Sequence, residues 1–98
     1  MDMSALFQFF GGNFHQDWDL DYANEREVVV AAVQGYPSRE SLQCLADDLV
    51  ALASSVDDDA ALEAVLERDL GCCIRPSLGG VSARQWVRDL AAVIREYL

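Results

Sequence analysis

The sequence predicts an all-α fold, a compact antiparallel bundle of about four to five helices in a single domain over residues 1–98. Three observations lead there. Apolar residues recur at three- and four-residue spacing through the long segments. Serine or asparagine stands where those segments begin, and glycine or proline where they end. The chain is 98 residues long and 52% hydrophobic, so it has room for one core and buries roughly 60–65% of its unfolded surface. No internal repeat, long linker or low-complexity tract interrupts it.

Taken in order, Ser4 is placed to cap a short helix carrying Leu6, Phe7, Phe9 and Phe10, which Gly11-Gly12 should terminate. Residues 13–22 alternate apolar or aromatic with polar side chains, but the closely spaced aspartates argue against a strand. An ordered loop with a turn of helix is expected there. Asn24 with Glu27 three residues on forms a capping box for a second helix buried through Val28, Val29, Ala32 and Val33. The β-branched run makes a strand the competing reading. Gly35 and Pro37 end that element, and Ser38 caps a third helix with Leu42, Leu45, Leu49, Leu52 and Val56 on its inner stripe. Its outer face carries Arg39, Glu40, Gln43, Asp47 and Asp48.

Asp57, Asp58 and Asp59 put negative charge at the start of a fourth helix, where the helix dipole favours it. That helix uses Leu62, Val65, Leu66 and Leu70 and stops at Gly71. Residues 72–80 read as a loop. Ser82 then caps the last helix, with Gln85 closing a second capping box, and Trp86, Leu90, Val93, Ile94 and Tyr97 form its apolar stripe.

Charge narrows the function. Seventeen acidic residues face seven basic ones, all arginine, for a net charge of −10. Such a surface repels phosphate backbones, which argues against direct nucleic-acid binding and favours rapid association with a basic protein. No apolar run approaches the ~20 residues of a membrane span, and the N-terminus lacks the marks of a secretory signal. A soluble cytoplasmic protein is expected. Cys44, Cys72 and Cys73 are an odd set with one adjacent pair, so reduced, partly buried thiols are expected rather than a disulfide.

Little in the sequence points to catalysis. His15 with Asp17, Asp19 and Asp21 is the one constellation that resembles a metal or acid–base site. A single imidazole with alternating carboxylates is a poor ligand set. A calcium loop begun at Asp17 would need glycine at position 22 and glutamate at 28, where Tyr22 and Val28 stand. Cys72-Cys73 follows a helix end, where no dipole lowers a thiol pKa, and Gly79-Gly80 lacks the lysine of a phosphate loop. No catalytic residue, metal or cofactor is expected. The other conspicuous feature is aromatic density: Phe7, Phe9, Phe10, Phe14, Trp18 and Tyr22. Core is the expectation for Phe7, Phe10, Phe14 and Trp18, with a binding patch formed by part of the cluster as the alternative.

Residues 9–22 resemble the N-terminal signature of the immunity proteins of contact-dependent growth inhibition and related polymorphic toxin systems. Asn13-Phe14-His15-Gln16-Asp17-Trp18 matches its aromatic-His-Gln-Asp-Trp core, Leu70-Gly71 with Pro76 a characteristic helix end, and Trp86 a tryptophan in the last helix. Two positions depart from the pattern. Asn13 stands where an aromatic residue is usual, and Cys72-Cys73 follows Leu-Gly where an aromatic residue is more common. The resemblance implies a small helical protein that binds and neutralises the C-terminal domain of a cognate toxin, commonly a nuclease, in the cytoplasm.

His15, Gln16, Asp17 and Trp18 are then expected to pin the fold, Trp18 by burial and His15 and Asp17 by hydrogen bonds. Toxin contact is expected on the acidic surface instead: Asp19 and Asp21, Asp47 and Asp48, and Asp57, Asp58 and Asp59. An acidic adaptor of another basic protein is the alternative. A metal-dependent enzyme centred on His15, Asp17 and Asp19 is a third reading, from a different class.

Overall fold

A computed structural model of the chain describes residues 3–14 and 23–98. Five α-helices and one short 3-10 helix make up the regular structure among these residues, with no strand. They are α1 (Met3–Asn13), α2 (Glu25–Gln34), α3 (Arg39–Ser55), α4 (Asp59–Arg68), η1 (Pro76–Gly79) and α5 (Ala83–Arg95). The all-α expectation is met, and the strand alternative for Val28–Val33 gives way to α2.

Helix starts follow from side-chain chemistry. Each helix leaves its first N–H groups without an internal partner. Asn24 Oδ1 accepts from the Glu27 N–H at 3.0 Å, Ser38 Oγ from Ser41 at 3.2 Å, and Ser82 Oγ from Gln85 at 3.0 Å. Glu27 reaches back to the Ala23 N–H at 2.8 Å, so the first capping box closes one residue early. The second stays half open, because the Gln85 side chain turns to Asp89 at 2.7 Å.

The core is one contiguous cluster drawn from all five helices. The helix α5 is its hub, packing most extensively on α3 and also meeting α2, α4 and η1. Its buried residues Ala83, Trp86, Val87, Leu90, Ala91 and Ile94 repeat at intervals of three, one, three, one and three, a stripe wide enough to serve several neighbours. The helix ends at Arg95, so Tyr97 falls outside that stripe and is 45% exposed, contrary to expectation. Helix α3 presents the matching inner face: Leu42, Leu45, Ala46, Leu49, Leu52 and Ala53.

Two expectations for α1 are corrected. Gly11-Gly12 does not stop the helix, which runs on to Asn13 and takes Ser4 inside its first turn. Two glycines cost a helix about 1 kcal/mol each, but burial of Leu6, Phe9, Phe10 and Phe14 outweighs that cost. Nor is Phe7 in the core. It is 54% exposed, while Phe9, Phe10 and Phe14 are fully buried. These three rings pack edge-on or tilted, and Phe14 meets Trp86 of α5 at a centroid distance of 5.5 Å.

The ends of α3, α4 and α5 are stapled reciprocally. The Arg84 guanidinium donates to the carbonyls of Ala53 (2.8 Å), Val56 and Asp57 (3.2 Å), closing the C-terminal end of α3. In return the Asp59 carboxylate accepts the N–H groups of Ala83 (2.8 Å) and Arg84 (2.9 Å) at the start of α5. Between α4 and α5, Gly71 (φ +69°) and Gly80 (φ +77°) take the left-handed conformation that side chains resist. The stretch expected to be plain loop contains η1, whose start is held by Glu63 accepting from the N–H and the hydroxyl of Ser77, each at 2.9 Å.

Candidate functional site

Of the residues the sequence singled out, His15, Gln16, Asp17, Trp18, Asp19 and Asp21 lie outside the described part of the chain. The described landmarks of the resemblance lie together in the interior. Phe14 is fully buried against Trp86, and its carbonyl accepts the Cys73 N–H at 2.8 Å just past Leu70-Gly71. Gly71 sits so close to α1 that a Cβ placed on it would lie 3.6 Å from the Gly11 Cα. Pro76 is buried as well. Phe14, Leu70, Pro76 and Trp86 are buried and serve the fold.

The cysteines carry no reactive centre of evident design. All three are free; Cys44 and Cys73 are exposed, and burial pushes the Cys72 thiol up to about 12, far from the thiolate a nucleophile needs. No group of three or more His, Cys, Asp or Glu among the described residues is arranged to hold a metal ion. Nor is any described helix long and apolar enough to cross a membrane.

The acidic residues divide by what they do. Asp59 is taken up by the α5 cap, and the Arg84 and Ala83 N–H groups hold its carboxyl below the usual carboxylate range. Asp58 caps α4 through the Ala60 N–H at 3.2 Å. Asp47 is held by Gln43 at 2.9 Å and touches Arg95 at 3.5 Å. Asp57 is exposed, and Asp48 is half-buried. Sequence spacing alone could not separate these roles, because the partners of Asp59 lie 24 and 25 residues away.

Asp48 opens into a feature the sequence did not announce. A groove of about 650 Å³ runs between Ala5 of α1, the 36–38 link and the first half of α3. Glu40, Ser41, Cys44 and Asp48 line it along α3, and half-buried Tyr36 stands at its edge. Burial raises the Tyr36 hydroxyl pKa, so the phenol is neutral at physiological pH. The signal available in the sequence was the 40, 41, 44, 48 spacing, which places these residues on one helical face.

Comparison with known proteins gives the context. Neither curated proteins nor solved structures yielded a match to the chain. A model of the CdiI immunity protein family matches residues 2–94, nearly the whole length. The chain therefore belongs to the CdiI immunity protein family, and its role is to neutralise a toxin rather than to catalyse a reaction.

Proposed function

We propose that the protein neutralises its cognate toxin by binding the toxin's C-terminal domain directly in the cytoplasm, with its acidic surface against a basic toxin of the nuclease kind. The observation that carries this reading is the charge. Seventeen carboxylates face seven arginines, and only three ion pairs form among the described residues, all of them exposed. Arg84 is spent on backbone carbonyls. A strongly negative field is left for a partner. Nucleases must hold phosphates and so present basic surface, which such a field attracts and orients.

The proposed contacts are the acidic patches Asp47 with Asp48, Asp57 and Asp58 with Asp59, and Asp19 with Asp21. Within the second patch Asp58 and Asp59 already serve the fold as helix caps, which leaves Asp57 to carry the contact. His15, Gln16, Asp17 and Trp18 are proposed to support the loop they belong to. Binding inhibits by covering the toxin's active surface or by locking the toxin in an inactive form.

Co-expression tests the reading. Cells making the cognate toxin domain should grow when this protein is present, and the two chains should co-purify at a fixed ratio. Continued growth arrest with no complex formed would contradict it.

A further inference from the structure

We infer that the groove between α1 and the first half of α3 receives basic side chains of the toxin, which makes it the central part of the neutralising interface. The inference rests on the toxin-binding reading above and narrows it to one of the candidate surfaces.

Charge distinguishes this groove from the other depressions. Four others, of about 270–320 Å³, each include an arginine: Arg26 in two of them, Arg75 and Arg39 in the others. The 650 Å³ groove includes none; it carries Asp48, and Glu40, which it shares with the Arg39 depression. Neither carboxylate forms an ion pair among the described residues, whereas neighbouring Asp47 is engaged by Gln43 and Arg95. Among the described residues, no ion pair therefore offsets the negative charge of the groove. Asp48 is half-buried, so solvent screens it less than it screens the carboxylates on the open surface.

The geometry specifies the guest further. Glu40 and Asp48 are eight residues apart on α3, which separates them by about 12 Å along the helix axis. They bracket a floor of Ser41, Cys44 and Leu45. A toxin segment with two basic side chains at that separation would pair with both ends. The Tyr36 ring at the edge offers a face for a guanidinium or ammonium, and its hydroxyl offers a further hydrogen bond. The volume lies within the range of about 300–1,000 Å³ typical of specific binding sites.

Cys44 lines the groove and Cys73 lies exposed outside it, in the depression that includes Arg75, so the unaltered protein reports on its own interface. Alkylation of both thiols by N-ethylmaleimide is followed by mass spectrometry, for the protein alone and in complex with the cognate toxin domain. Cys44 should become protected in the complex while Cys73 keeps its reactivity.

In parallel, E40K/D48K should weaken toxin binding by about a hundredfold or more, since like charges would then meet at the contact. D69K/D89K, which makes the same change in net charge outside the groove, should weaken it far less. Failure of the unaltered protein to form a complex overturns the toxin-binding reading and this one with it. A complex in which Cys44 reacts as fast as in the free protein overturns the groove alone, and so does E40K/D48K binding as tightly as the unaltered chain.

Discussion

The aromatic junction around Phe14 and the acidic groove on α3 are built on opposite principles. At the junction, Phe9, Phe10 and Phe14 of the first segment pack with Trp86 of α5, while Gly11 and Gly71 bring two backbones together. The four rings there are buried and their positions are set by close packing. In the groove, exposed Glu40 and half-buried Asp48 have no ion-pair partner among the described residues. Removing an atom from the first region leaves a void. Changing a charge in the second alters the field a partner meets and leaves the packing as it was. Phe14 and Trp86, two landmarks of the resemblance, belong to the first region; the proposed toxin contact lies in the second.

The comparison breaks most visibly at Phe14. Phe14→Ala should lower stability by about 3–5 kcal/mol, a large share of the roughly 5–15 kcal/mol of a whole domain. Urea unfolding measures it, and a loss below 1 kcal/mol would mean the junction is not the keystone. Gly71→Ala should cost about 1–2 kcal/mol from its left-handed conformation. Gly80→Ala should cost a similar amount from the same cause, since a Cβ at Gly80 meets nothing within 4 Å and one at Gly71 makes only an ordinary contact, 3.6 Å from the Gly11 Cα.

Asp59 is an acidic residue that belongs with the fold. Asp59→Ala should destabilise by about 0.5–2 kcal/mol, as loss of a helix cap does. Its carboxyl is held low in the folded chain by the N–H groups of Arg84 and Ala83. Its contribution is therefore complete above the ordinary carboxyl pKa of about 3.9 and is lost as pH falls through the lower folded value. The stability gap between the unaltered protein and Asp59→Asn should narrow below about pH 4. A gap that widens on acidification would show that the cap does not depend on the ionised form.

Smaller effects mark the other region. E40K/D48K should lower stability by only about 1 kcal/mol, chiefly by placing a cation in the first turn of α3, in spite of its effect on binding. Arg26→Ala, which removes the exposed 2.8 Å pair with Glu96, should change it by about 0.2–1 kcal/mol, and by less in high salt. Circular-dichroism melts in low and high salt measure both.

The two regions also differed in how far the sequence disclosed them. The caps at Asn24, Ser38 and Ser82 were legible because a cap and its target N–H lie within three residues. The inner faces of α3 and α5 were legible from periodicity. Phe7 misled because positions 7, 10 and 14 keep helical spacing as well as 6, 10 and 14 do. Spacing shows that a helix has an apolar face, while the neighbours that decide which face turns inward, Trp86 and Gly71 among them, come from far along the chain. Gly11-Gly12 misled for the same reason, since a local cost was outweighed by distant packing. The acidic residues were legible as charge and not as roles: Asp59 caps a helix start 24 residues on, and the groove at Asp48 depends on Ala5 and Tyr36 being brought to α3.

On the proposed reading, this chain recognises its toxin through its excess negative charge. The most direct measurement is the association rate constant of the unaltered protein with its cognate toxin domain across ionic strength. The rate should fall by about tenfold or more between roughly 0.01 M and 1 M salt, as the screening length contracts from about 30 Å to 3 Å. A rate that stays flat over that range would contradict electrostatic recognition, however tightly the two proteins bind.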